Sequence, residues 1–227
     1  MKILLLGGSG NLGGQIKLKL SRRNIKFNSP DKKECNVKRL GTIENYIRDA
    51  DVVIHAAGFI NLLDAENHPE ECIDINVLGT HNVVKMCRFY QKRLVYISTD
   101  TVFSGDNPPY TINSGVNPKN VYGMTKACGE LLVKTLKNYL IIRSPFIRDI
   151  TFNHNKAFSN QYTSRQYVDE VVDDIIDASI SEDVGVQHIV GKYQTVLELA
   201  RETQSEIEGI EIPDDIKSIL PLRLELI

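Results

Sequence analysis

The sequence predicts an α/β chain organised on a doubly wound parallel sheet, and three observations carry that reading. The chain begins with an apolar run, Lys2–Leu6, that stops at Gly7-Gly8 and passes through a glycine-spaced turn into a helical stretch. Further short apolar runs follow at Asp51–Ile54 and Leu94–Ile97, with helix-period segments between them. These two runs end on small or hydroxyl-bearing residues, His55-Ala-Ala-Gly58 and Ser98-Thr-Asp-Thr101. Strands buried on both faces read as near-continuous apolar runs, and their alternation with helices marks a parallel sheet. The 227 residues suit one such domain with a small appended lobe.

Taken in order, Lys2–Leu6 is a central strand. Gly7-Gly-Ser-Gly10-Asn11-Leu12-Gly13-Gly14 follows, and Gln15–Arg22 has helical character. Glycines at 7, 10 and 13 let the backbone turn tightly and approach a pyrophosphate. The free N–H groups and positive dipole end of the next helix then bind it. An ordinary turn is the bland alternative, but a position directly after the first strand favours a Rossmann-type dinucleotide site. Ile25–Phe27 reads as a short second strand. An acid at its end would receive the ribose 2′-hydroxyl of NAD. Asn28-Ser29 stand there instead, with Lys32 and Lys33 close behind. The expectation is NADPH in preference to NADH, with Asn28 at the cofactor; a solvated basic loop is the competing reading.

Leu40–Arg48 is an amphipathic helix, and Asp51–Ile54 is the next buried strand. Ala56, Ala57 and Gly58 after it are small enough for cofactor ribose and phosphates to come close, and His55 reads as a packing residue. Glu70–Tyr90 contains a long helix with Asn76 on its apolar side. A polar group there needs a partner, and bracing the backbone near the site is one role for it. Leu94–Ile97 delivers Ser98 and Thr99 at its C-terminal end, where open α/β sheets place their sites. Val168–Ile180 and Thr195–Ile207 are both helical in period.

Composition narrows the classes. With 27 basic and 29 acidic residues interspersed, the net charge is -2, and no polyanion-binding face is expected. The apolar N-terminal run is too short for a signal segment or a membrane span. A cytoplasmic protein without nucleic-acid or membrane partners is expected. The four cysteines have no C-x-x-C spacing and read as reduced and structural, and no metal site is expected.

The chemistry centres on Asn120-Val-Tyr122-Gly-Met-Thr-Lys126-Ala-Cys-Gly-Glu130. Residues four apart on a helix share a face, so a phenol and an ammonium point into one space. A free tyrosine titrates near pH ~10, and a neighbouring cation lowers that value. The pair can then exchange a proton with a carbonyl or alcohol.

Together these motifs resemble the extended short-chain dehydrogenase/reductase superfamily, and within it most closely the dTDP-4-dehydrorhamnose reductase group. Gly7-x-x-Gly10-x-x-Gly13 matches the cofactor loop, which carries Asn11 and Leu12 with it. Ala56-Ala57-Gly58, Ile75–Thr80 and Ser98-Thr-Asp-x-Val-Phe103 match successive family blocks. Tyr122-x-x-x-Lys126 and Gly129-Glu130 follow, and Asn160–Ser164 with Tyr167-Val-Asp169 resemble the block that returns to the substrate pocket. The resemblance implies that Thr99 hydrogen-bonds a sugar keto oxygen, that Tyr122 protonates it, and that Lys126 binds the nicotinamide ribose and depresses the tyrosine pKa. It further implies cofactor contacts at Asn36, Val37, Asn76, Ser98 and Pro145. Departures are visible too. Asn36 replaces a usual aspartate, Thr101 a common tyrosine, and only Ile147–Ser159 separates Arg143-Ser-Pro-Phe146 from the Gln161-Tyr block, fewer residues than relatives spend there. The chain after Glu211 also reads as abbreviated.

The expected function is NAD(P)H-dependent reduction of a 4-keto nucleotide sugar, with that sugar as partner and a homodimer as an allowed state. Residues 1–150 are expected to form the cofactor domain and 151–227 a reduced substrate lobe packed on it. An NAD-dependent epimerase or dehydratase on the same scaffold is the first alternative. A cofactor-binding regulatory subunit without turnover is the second.

Overall fold

The apolar runs become the strands of one sheet. In the computed structural model, which describes residues 1–147, 151–152 and 154–227, the chain begins with β1 (Ile3–Leu6), α1 (Asn11–Arg22), β2 (Phe27–Asn28), α2 (Leu40–Arg48) and β3 (Val52–His55). Next come α3 (Leu62–Asn67), α4 (Pro69–Ile73), a π-helical turn at Asp74–Leu78, α5 (Gly79–Phe89), β4 (Arg93–Ser98), α6 (Val121–Val133) and β5 (Tyr139–Arg143). After them lie β6 (Phe146–Ile147), β7 (Lys156–Phe158), β8 (Tyr162–Thr163), β9 (Gln166–Tyr167), α7 (Val168–Ile180) and β10 (Gly185–His188). The last elements are β11 (Gln194–Thr195), α8 (Val196–Arg201), β12 (Glu208–Ile210) and β13 (Arg223–Leu224). No helix among the described residues is long and apolar enough to cross a membrane.

The central sheet has six parallel strands in the order β10-β5-β4-β3-β1-β2. Side chains alternate across a strand, and the two faces bury different residues of the same runs. Leu4, Leu6, Val53, Leu94, Tyr96 and Ile141 pack with Ile43 and Ile47 of α2, Val83, Val84 and Met86 of α5 and Val133 of α6. Ile3, Leu5, Ile54, Val95, Ile97 and Ile142 pack on the opposite face with Ile16 and Leu20 of α1 and Val171, Val172, Ile175 and Ile176 of α7. A fully buried aliphatic side chain contributes about 1.5–3 kcal/mol, so these two layers hold the sheet, and the sheet fixes the loops at its C-terminal edge. Across the α1–α7 seam, Asp173 pairs with Lys19 and Arg23 at 2.5 Å, with Asp177 also on Arg23 at 2.5 Å. These pairs are partly exposed and orient the helices more than they stabilise them.

Several expectations shift in detail. The second strand is Phe27–Asn28, starting two residues and ending one residue later than Ile25–Phe27, and it lies at the sheet edge. The long helix expected within Glu70–Tyr90 is present and runs without interruption from Pro69 to Phe89, with a π-helical segment at Asp74–Leu78 between α4 and α5. The periodic stretch Thr195–Ile207 is helical only to Arg201. A capping box between Thr195 and Glu198 starts it. The Thr203 hydroxyl then meets Tyr167 Oη at 2.7 Å and accepts the Phe152 N–H at 2.9 Å, and Ile207 turns inward against Ala157, Val196 and Ala200. The expected boundary at residue 150 lies outside the described residues. α7 and β10, from the later part of the chain, return to the central sheet, while β7, β8, β11, β12 and β13 form two small sheets beside it.

Candidate functional site

A cavity of about 1190 Å³ opens along the C-terminal edge of the central sheet. One wall is backbone. Gly7 has φ +91°, and a Cβ there would lie 2.5 Å from Ala57 N, so the turn must be glycine for the loop to seat against Ala56-Ala57. A Cβ on Gly13 would meet the Gly7 carbonyl oxygen at 2.1 Å. A Cβ on Gly10 meets no protein atom closer than 3.5 Å. Gly7 and Gly13 are therefore demanded by packing, while Gly10 leaves open space facing the cavity. Gly10 is also the N-cap of α1, with no side chain capping it. The start of α1, with the positive end of its dipole, lines the cavity at residues 10–13.

Of the residues expected at the cofactor, Gly7, Gly10, Asn11, Leu12, Gly13, Asn36, Val37, Ala56, Ala57, Gly58, Ser98 and Pro145 all line this cavity, as do Thr99, Tyr122 and Lys126. Asn28 and Asn76 do not. Asn28 is exposed at the end of the edge strand, and Lys32 from the following loop takes a place in the wall. Asn76 is buried under the wall. Its Oδ1 accepts the Phe59 N–H at 2.8 Å, while its Nδ2 donates to the Phe59 carbonyl at 2.9 Å and to Thr125 Oγ1 at 3.0 Å. That is the backbone brace the sequence left open for it. The π turn sets it there, because one extra residue per turn re-aims a side chain. His55 is fully buried, with its Nε2 3.1 Å from Thr80 Oγ1, and burial lowers its pKa to about 3. It is a packing residue.

The end of the cavity lined by Thr99, Tyr122 and Lys126 combines β4 and α6. The Asn120 side chain accepts the Gly123 N–H at 2.7 Å and starts α6. A Cβ on Gly123 would lie 2.3 Å from the Thr101 carbonyl, so the helix approaches the β4 loop closely. Lys126 is 6% exposed and donates to the Ile97 carbonyl at 2.6 Å, with its ammonium 4.0 Å from the Tyr96 ring centroid. Burial pulls its pKa down to about 7, opposed first by Glu130 and then by Cys72. Thr99 Oγ1 lies 2.9 Å from Thr101 Oγ1 and donates to Asp100 Oδ1 at 3.1 Å. Asp100 is buried, which raises its pKa, with Arg165 and the Thr99 hydroxyl pulling the other way. Ser98 lines the cavity, but its hydroxyl donates inward to Glu130 Oε1 at 2.7 Å.

The facing wall was the part sequence reading found least. Phe146, Phe152, Lys156, Phe158, Gln161 and Arg165 belong to it. Arg165 sits between the two fragments of the returning block, Asn160–Ser164 and Tyr167–Asp169, so that block did point to its neighbourhood. Its guanidinium makes no ion pair or side-chain hydrogen bond among the described residues. Lys156, by contrast, pairs with Glu208 at 3.2 Å. No cluster of three or more metal-ligating side chains occurs among the described residues, and all four cysteines are free thiols.

Comparison with known proteins places these features in a wider group. A family model described as RmlD substrate binding domain matches residues 1–179. A dTDP-4-dehydrorhamnose reductase of Mycolicibacterium smegmatis is 26% identical over 149 residues, covering 64% of this chain and 46% of that protein. The methionine adenosyltransferase 2 subunit beta of Bos taurus is 30% identical over 158 residues, covering 64% of this chain and 47% of that protein. The chain thus spans about half the length of the curated relatives it matches. The crystal structure of a dTDP-4-dehydrorhamnose reductase from Bacillus anthracis in complex with NADP superposes with a TM-score of 0.88 at 23% identity, covering 99% of this chain and 89% of that one. A Thermus thermophilus UDP-glucose 4-epimerase complex with NAD gives 0.79 at 19% identity, covering 100% and 89%. These superpositions establish the shared fold.

Proposed function

The chain belongs to the RmlD substrate binding domain family, and on that premise we propose that it is an NAD(P)H-dependent reductase of a 4-keto nucleotide sugar. The observation that carries the proposal is the convergence of Thr99, Tyr122 and Lys126 on the cavity that also holds the glycine turn and the uncapped start of α1. The open space at Gly10 fits a dinucleotide pyrophosphate. Ala56, Ala57 and Gly58 would flank its ribose, and Lys126 would hold the ribose beside the nicotinamide. Lys32, on the β2 side of the cavity, is placed to meet a 2′-phosphate, which supports NADPH as the preferred form.

The reduced nicotinamide, when bound, supplies the hydride. Tyr122 delivers the proton to the oxygen that becomes anionic, and the Lys126 ammonium stabilises the phenolate that remains. The Thr99 hydroxyl holds the same oxygen in line; its neighbour Asp100 competes for that hydrogen bond until substrate arrives. Arg165, in the facing wall and close enough to Asp100 to lower its pKa, would offer a cation to an anionic part of the substrate.

A second reading, a cofactor-binding subunit without turnover, draws on the 30% identity to a protein named as a subunit. The two readings part in one experiment. Thermal shift with NADPH and NADH, followed by turnover of dTDP-, UDP- and GDP-linked 4-keto sugars, gives stabilisation and nucleotide oxidation under the reductase reading. Stabilisation by cofactor with no oxidation on any of these sugars supports the subunit reading instead.

A further inference from the structure

Glu130 takes no part in the mechanism above, yet every oxygen of its carboxylate is committed. It is 1% exposed and lies one turn beyond Lys126 and two beyond Tyr122, on the same stripe of α6. Arg143 Nε donates to Oε1 at 2.9 Å and Nη2 to Oε2 at 2.7 Å, while Ser98 Oγ donates to Oε1 at 2.7 Å. Arg143 itself is 1% exposed and packs over the Phe103 ring, 4.9 Å from its centroid. One carboxylate therefore ties β4, α6 and β5 together beneath the reactive end. Stability is a poor reason for such an arrangement, because a buried ion pair is often replaceable by apolar residues without loss.

The surroundings of Lys126 give a better reason. Its ammonium is faced by Cys72 from α4, His55 from β3, the Tyr96 ring from β4, and Glu130 from its own helix, on which Tyr122 lies one turn back. Burial keeps Cys72 a neutral thiol and His55 a neutral imidazole. Glu130 is then the one anion among these groups, and Arg143, Tyr96 and His188 are the titratable groups facing it in turn.

We propose that Glu130 is a positioning residue for the reduction: clamped by Arg143 and Ser98, its carboxylate keeps the Lys126 ammonium charged and in register beside Tyr122. The proposal rests on the reductase reading for its consequence, but its test does not need a substrate. The Tyr122 phenolate is titrated in the NADP⁺-loaded protein by ultraviolet absorbance, each variant being differenced against the same variant carrying Tyr122→Phe.

Glu130→Gln alone leaves the Arg143 cation buried without a partner, and this variant is expected to fold poorly. The paired change Glu130→Gln with Arg143→Met removes both charges and keeps the volume. In that protein the Tyr122 midpoint is expected to rise by about one unit or more, and the alkaline limb of kcat/KM to move to lower pH. Glu130→Asp should return part of the shift. A paired variant with a lower melting temperature but an unmoved Tyr122 midpoint would show a purely structural brace and overturn the proposal, whatever the turnover. If the midpoint moves but the wild type reduces no keto sugar, the reductase reading falls, and with it the catalytic consequence assigned to Glu130.

Discussion

The two walls of the cavity are built on different physics. The cofactor wall is backbone: a glycine turn seated against Ala56-Ala57, a helix start without a side-chain cap, and strands buried on both faces. The facing wall is side chain, carried on strands of two or three residues such as β6, β7 and β9. Backbone geometry tolerates few residue types, so the first wall constrains its own sequence. Short strands and long side chains admit many sequences, so the second wall can change its ligand while the sheet stays fixed.

That contrast can be broken most sharply at two glycines. Gly13→Ala puts a methyl 2.1 Å from the Gly7 carbonyl. Overpacking of this kind costs about 1–3 kcal/mol, roughly 2–12 °C in melting temperature for a chain of this size. Gly10→Val fills open space, so its melting temperature without ligand should match the wild type while NADPH binding, read by calorimetry, is lost. A Gly10→Val protein that binds NADPH normally would move the phosphate site elsewhere.

The next effect separates chemistry from binding. Tyr122→Phe keeps the ring and removes the proposed proton donor, and general acid catalysis is worth about 10²–10⁴ in rate. Turnover of a validated keto sugar should fall by that factor with NADPH affinity unchanged. Lys126→Met should lose a comparable factor and weaken NADPH as well, because the proposal gives Lys126 both the charge and the ribose contact. Near-normal rates in either variant would leave the reactive end without its proposed proton donor.

The pH dependence follows from Lys126. Its pKa stands at about 7 in the folded protein against an ordinary 10.5, so the cofactor-free protein loses this charge as pH rises through about 7. On that basis kcat/KM for NADPH should decline above pH ~7, and Lys126→Met should abolish that limb. The stability sign is opposite. The unfolded chain holds the proton more tightly, so this group adds stability to the fold as pH rises from about 7 towards 10.5. Melting curves of wild type and Lys126→Met should converge with rising pH across that window; parallel curves would contradict the burial that lowers the pKa.

The smallest effect concerns cofactor choice. Lys32→Ala removes a cation from the cavity wall, worth ~1 kcal/mol for an exposed pair, and NADPH affinity should fall about fivefold with NADH unaffected. Asn28→Asp, farther from the wall, should shift the ratio less. Equal losses for both nucleotides on Lys32→Ala would remove the 2′-phosphate from that end.

What the sequence could show divides along the same line. The strands β1, β3 and β4, helices α2 and α7, and the place of the glycine turn were readable because buried parallel strands and tight turns write themselves into local residue choice. α8 was read too long, since Thr203 and Ile207 are drawn away by Tyr167 and Ala157, contacts remote in sequence. The family resemblance read from Gly7-x-x-Gly10-x-x-Gly13 and Tyr122-x-x-x-Lys126 agrees with the family match over residues 1–179. Arg165, Phe146 and Phe158 in the facing wall carried no local pattern, because their positions depend on strand pairings remote in sequence, β6 with β9 and β7 with β12.

The central claim is that this cavity moves a hydride from a bound nicotinamide to a sugar ketone. NADPH deuterated at the transferable C4 position, incubated with the protein and a 4-keto-6-deoxy nucleotide sugar, tests it directly by mass spectrometry of the product. The expected result is one deuterium at the former keto carbon with the wild type, and a rate lower by the general-acid factor with Tyr122→Phe. Cofactor that binds and stabilises the protein but delivers no deuterium to any keto nucleotide sugar would contradict the account.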